Sequence, residues 1–111
     1  MSQDIASLLD IDQAGRLIQE FIRGLDRESF LMDRKTQSAV LHQILILGEA
    51  AKRVSKAYRD QHPEIPWRQM AGMRDVLIHA YESVDVDEVW NTVNEEVPEL
   101  LRKIEPLIPK K

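Results

Sequence analysis

Apolar residues recur along most of this chain in alternating steps of three and four, the spacing of one buried helix face. Ile5, Leu8, Leu9, Leu17, Ile18, Phe21 and Ile22 form a first stripe. Gly24 closes it, and Asp26 or Ser29 can cap the next segment. A second, longer helix is predicted from about Phe30 to Gln61. Its seam is Val40, Ile44, Leu47, Ala51, Val54 and Tyr58, which is bundle spacing. Gly48 lies inside this seam. A helix-interior glycine costs about 1 kcal/mol relative to alanine, so its presence points to close approach of another backbone.

Pro63-Glu64-Ile65-Pro66 breaks the chain. Pro66 suits a first helical position, and Trp67 can pin the start of a third helix that runs to about Tyr81. Asp85 and Glu88 have capping-box spacing, with Val84 and Val89 as a hydrophobic staple. The last seam is Val86, Trp90, Val93, Val97, Leu100, Ile104 and Leu107. Pro98 predicts a kink or a brief restart within it, and Pro106 and Pro109 end it. Four helical segments with short connections predict an all-α, up-and-down four-helix bundle, one domain spanning residues 1–111.

Composition narrows the picture. With 111 residues the chain can build a core, though modest stability would favour an oligomer. Cysteine is absent, which excludes a disulfide framework and a thiolate zinc site. Met1-Ser2-Gln3-Asp4 lacks the basic and apolar regions of a signal peptide, and the longest aliphatic run, Ile44-Leu45-Ile46-Leu47, is too short to span a bilayer. A cytoplasmic protein with no membrane association is expected. The net charge of −4 argues against a general nucleic-acid coat protein. A local basic patch remains compatible with an RNA-binding enzyme, and Lys52, Arg53, Lys56, Arg59 and Arg68 are its candidates.

The chemistry concentrates in Arg74-x-x-x-x-His79-x-Tyr81. Arginine grips phosphate through a planar fork, and histidine moves protons near neutral pH. The pair points to chemistry on a phosphodiester. On a regular helix the two side chains project about 140° apart, so a joint site is permitted rather than required. Asp75 is four residues before His79 and can accept a hydrogen bond from it or orient Arg74. The same residues also fit a solvated charged face in which Arg74 pairs with Asp75 or another carboxylate. His42 and His62 fit structural positions. No HxxH or HExxH spacing exists, and neither a metal nor a cofactor is expected. Glu49 and Lys52 read as an exposed or partly buried pair rather than a catalytic couple.

Taken together, the specific residues resemble a HEPN domain of the HepT-like toxin branch, the partner of minimal nucleotidyltransferase antitoxins. The similarity runs through Phe30 with Asp33, Gly48-Glu49-Ala50-Ala51-Lys52 and Pro63-Glu64-Ile65-Pro66-Trp67. It continues in Ala71-Gly72-Met73-Arg74, Leu77-Ile78-His79-Ala80-Tyr81, Val84-Asp85 and Val89-Trp90. The resemblance implies a dimerising bundle with both Arg-His motifs near the dimer axis. It implies the toxin of a type VII-like toxin–antitoxin system, a metal-independent ribonuclease acting on an RNA such as tRNA or mRNA. In such a system Arg74 and His79 would be catalytic and Asp75 supporting. A 2′,3′-cyclic phosphate product would follow. Tyr81 would be the residue that the antitoxin modifies with AMP. One departure is visible: the residue after the motif arginine is often Asn in this family, and here it is Asp75. Two other readings stay open: a non-catalytic HEPN module that serves a nucleotidyltransferase, and a plain helical dimerisation protein.

Overall fold

A computed structural model describes residues 2–109. Its helices are α1 (Gln3–Ile22), α2 (Arg27–Leu31), α3 (Arg34–Arg53), α4 (Lys56–Gln61), α5 (Trp67–His79), α6 (Val86–Asn91) and α7 (Val97–Ile104). No strand occurs among the described residues. Helix α3 packs along α1 on one side and α5 on the other, and α7 returns against α1. The four long segments are α1, α3, α5 and the α6–α7 run, which together make the expected helical bundle. No helix among the described residues is long and apolar enough to cross a membrane.

The predicted seams form the core. Val40, Ile44, Leu47, Ala51 and Val54 of the second segment are buried, as are Val93, Val97, Leu100 and Ile104 of the last. Met73 packs against both halves of this core, between the group around Leu47 and Met70 and the group around Ile44 and Leu77. It therefore ties the residue just before Arg74 into the centre of the bundle. In α1 the phase differs from expectation: Leu9 is at the surface while Ile11 is fully buried.

The single second helix expected from Phe30 to Gln61 is instead three pieces. Asp33 starts α3 by accepting from the Thr36 amide at 3.0 Å and the Thr36 hydroxyl at 2.6 Å, which separates α2 from α3. At the other end Val54 turns extended. Ser55 then caps α4, while its own amide and hydroxyl donate to Asp4 of α1, both at 2.7 Å. These contacts hold the break open although the apolar spacing runs through it.

Other signals land where they were read. Gly24 adopts a φ of 81°, the left-handed conformation that ends α1 without a Cβ penalty. Asp26 caps α2 by accepting from the Ser29 amide, and Asp85 caps α6 by accepting from the amides of Asp87 and Glu88. Trp67 is buried and donates its indole N–H to the His62 carbonyl at 2.9 Å, which anchors the start of α5. A π-helical turn at Thr92–Glu96 separates α6 from α7 just before Pro98. This is the restart predicted there, since proline cannot supply a hydrogen bond to the preceding turn.

Candidate nucleic-acid site on helix α5

The site begins with the contact between α3 and α5. A Cβ added at Gly48 would collide with Arg74 Cβ and lie 2.7 Å from the Met70 carbonyl oxygen. The absent side chain is what lets the two backbones close, as the interior glycine suggested. Arg74 is thus pressed against α3, and its guanidinium is held there. Its Nε donates to Glu49 Oε1 at 2.5 Å and its Nη1 to Asp75 Oδ1 at 3.0 Å. Lys52 Nζ donates to that same Asp75 oxygen at 3.1 Å. The Arg74 side chain retains 22% of its exposure, so the group is oriented without being sealed off.

Charge in this network balances: two cations face two carboxylates. Hydrogen bonds from Lys52 first, and then from Arg74, hold the Asp75 carboxyl below its usual range. Bonds to Glu49 and then Asp75 raise Arg74 further above its already high value. The arrangement bears on two sequence expectations. Glu49 and Lys52 do not pair with each other; Glu49 reaches Arg74 and Lys52 reaches Asp75. Asp75 orients Arg74, as one of its two expected roles had it, and accepts nothing from His79 among the described residues.

His79 is the last residue of α5 and is exposed. Ala80, at φ −143° and ψ 38°, leaves the helix, and Tyr81 opens a short 3₁₀ turn to Ser83. The helix therefore loosens directly after His79, two residues earlier than expected. Arg74 and His79 share a helix but no hydrogen bond joins them among the described residues. Tyr81 is 55% exposed. It borders a depression of about 220 Å³ whose floor includes Leu41, Leu45 and Leu77 and whose rim includes Ser38 and His42.

Next to it, α5 leaves Val76 and Ile78 at the surface. Val76 edges a larger apolar groove of about 500 Å³ between α3, α5 and α6, floored by Leu41, Ile44, Leu77 and Val89. Sequence reading named Tyr81 but missed this groove, because its walls come from three segments distant in the chain.

The remaining candidates differ in their surroundings. His62 stacks on Tyr58 with ring centres 4.4 Å apart and lies 3.5 Å from Glu64. His42 is exposed on α3. Among the proposed basic patch, Lys52, Arg53 and Lys56 are paired with Asp75, Asp10 and Asp60. Arg59 and Arg68 are exposed and carry no ion pair among the described residues. No three His, Asp or Glu side chains converge as a metal cage among the described residues.

The profile of the family described as ribonuclease HepT-like matches residues 11–107. This chain belongs to the ribonuclease HepT-like family. The chain is 52% identical over 100 residues to a Thermococcus cleftensis protein named "Probable ribonuclease HepT", covering 90% of this chain and 91% of that one. A Methanocaldococcus jannaschii protein named "Putative RNase" is 38% identical over 82% of this chain and 78% of its own length. A Caldanaerobacter subterraneus protein, also named "Putative RNase", is 36% identical over 82% of this chain and 81% of its own. No solved structure gives a significant match. The HepT-like resemblance drawn from the Arg-His-Tyr motif and its surroundings is therefore borne out at the level of the family.

Proposed function

We propose that this chain is a metal-independent endoribonuclease whose site is completed by a second copy of itself. Arg74 and His79 carry the reaction. The observation that supports it most is the state of the motif in a HepT-like chain: His79 stands exposed at the end of α5, and Arg74, earlier on the same helix, is held by Glu49 and Asp75 without being buried.

Cleavage without a metal needs a base for the ribose 2′-OH and an acid for the leaving 5′ oxygen. One chain has one motif histidine, and a two-fold dimer has two. One imidazole takes the 2′-OH proton as that oxygen attacks phosphorus. The P–O5′ bond breaks, and the other histidine, protonated, gives its proton to the 5′ oxygen. The products are a 2′,3′-cyclic phosphate and a 5′-hydroxyl, and solvent resets the two histidines. Arg74 neutralises the phosphoryl oxygens. Val76, Ile78 and the apolar groove beside them put unpartnered hydrophobic surface on the motif helix, which suits dimerisation through this region.

Tyr81 gives the control point. Its exposed ring lies two residues beyond His79. AMP on its oxygen would add bulk and negative charge where RNA phosphate must bind. The chain is then the toxin of a type VII-like toxin–antitoxin pair, and a minimal nucleotidyltransferase is its antitoxin. Incubation of the purified, unmodified chain with RNA tests the enzymatic reading. Cleavage is expected from the wild type, severe impairment from Arg74→Lys because a point charge does not replace a fork, and none from His79→Ala. An unmodified wild-type dimer that leaves RNA intact would favour a non-catalytic partner module instead.

A further inference from the structure

The α3 side of the site contains two charged residues that the proposed reaction leaves without a task, Glu49 and Lys52. We infer that this pair is a positioning clamp for Arg74: Glu49 fixes the Nε edge of the guanidinium, and Lys52 holds the Asp75 carboxylate that takes Nη1, so that Nη2 is left for a substrate phosphate oxygen. The inference rests on the ribonuclease reading above and adds the residues that set the geometry of its phosphate grip.

Three features carry it. First, the glycine at position 48 brings Arg74 Cβ and Cα against α3, so the next residue, Glu49, meets the guanidinium at short range. The close approach and the 2.5 Å bond are thus one construction. Second, the donors of Arg74 are divided. Nε goes to Glu49 and Nη1 to Asp75, whereas Nη2 donates to no protein acceptor among the described residues. Third, Asp75 is restrained from the α3 side. Lys52 and Arg74 share its Oδ1, so Lys52 offsets the charge that the carboxylate brings to a phosphate-binding locus. An arginine free to rotate about its side-chain bonds would have to be ordered as substrate binds. One already fixed at Nε loses less freedom and presents its remaining edge in place. Glu49 and Lys52 are positioning residues, because they act through Arg74 and Asp75 and not on RNA.

Single-turnover RNA cleavage by the full chain tests this with Glu49→Ala, Glu49→Gln, Arg74→Ala and the Glu49→Ala/Arg74→Ala double variant. Misplacement of a group of this kind costs up to about 10²-fold in rate. Glu49→Ala is expected to fall by about 10- to 100-fold at saturating RNA, with an unchanged melting temperature and an unchanged shape of pH–rate profile. Glu49→Gln keeps an acceptor for Nε and should recover most of the rate. The double variant should be no slower than Arg74→Ala, since the two residues act as one unit. A fully active Glu49→Ala beside an inactive Arg74→Ala would overturn the clamp and leave the ribonuclease reading standing. A fully active Arg74→Ala would overturn both. Loss in Glu49→Ala and Glu49→Gln alike, in step with a lowered melting temperature, would make Glu49 a purely structural residue and also overturn the clamp.

Discussion

Gly48 of α3 faces Arg74 of α5 so closely that a methyl group has no room between them. The obstacles are Arg74 Cβ and the Met70 carbonyl, and neither is the far end of a flexible side chain. Gly48→Ala would gain about 1 kcal/mol of helix propensity. It would lose about 1–3 kcal/mol by forcing α5 away from α3. A lower melting temperature is expected, by a few degrees, as thermal denaturation followed by circular dichroism would show. RNA cleavage should fall further than stability does, because the displaced residue is Arg74. A variant as stable and as active as wild type would show that the helices separate without consequence.

Asp75→Asn tests the position where the sequence resemblance leads one to expect Asn. Asparagine keeps an acceptor for Arg74 and removes a negative charge where phosphate is proposed to bind. It also releases Lys52 from its ion pair. Both effects favour RNA, so KM should fall severalfold, more at low salt than at high salt. An unchanged KM at low salt would mean that Asp75 is too well neutralised by Lys52 for its charge to be felt.

Modification at Tyr81 should silence the enzyme. Tyr81→Phe removes only a hydroxyl from a half-exposed ring, so the fold should persist and a cleaving variant should escape neutralisation. Mass spectrometry of the chain co-expressed with a neighbouring nucleotidyltransferase is expected to place adenylyl mass on Tyr81. Mass on another residue, or full RNase activity after complete modification of Tyr81, would refute this control.

Stability should depend on acid in a defined direction. The carboxyls of Asp4, Asp26, Asp33 and Asp75 are held below the usual range, chiefly by the Ser55 amide, the Ser29 amide, the Thr36 hydroxyl and Lys52 respectively. A carboxyl whose folded value is depressed stabilises the fold above its unfolded value of about 3.9, and this contribution is lost as pH falls below that. These groups should leave the melting temperature level from pH 7 to about 5 and lower it below about 4. Asp33→Asn keeps a cap acceptor but does not titrate, so its acid limb should be shallower. An identical limb would remove Asp33 from the account.

Much of this arrangement was legible in the chain because helical spacing, caps and prolines are local signals. The seam from Val40 to Val54, the Asp85 cap, the turn at Gly24 and the restart before Pro98 all follow from neighbours a few residues apart. Gly48 was legible for a different reason: a residue unfavourable in its own helix signals a demand from elsewhere. The break at Ser55 was not readable. The seam continues to Tyr58, and the contact that secures the break comes from Asp4, about fifty positions away. The partner of Glu49 was misread for the same reason. Local spacing offers Lys52, whereas packing delivers Arg74 from another helix. Leu8 and Leu9 left the phase of α1 ambiguous, and only the packing selects Leu8 and Ile11 over Leu9.

The proposed chemistry stands most directly on the ends left in cleaved RNA. A defined RNA should be incubated with the purified, unmodified chain in excess EDTA, and the new termini identified by mass spectrometry. Wild type is expected to leave 2′,3′-cyclic phosphates and 5′-hydroxyls at an undiminished rate, and His79→Ala to leave the RNA whole. Cleavage that stops in EDTA, 3′-hydroxyl termini, or a fully active His79→Ala would contradict it.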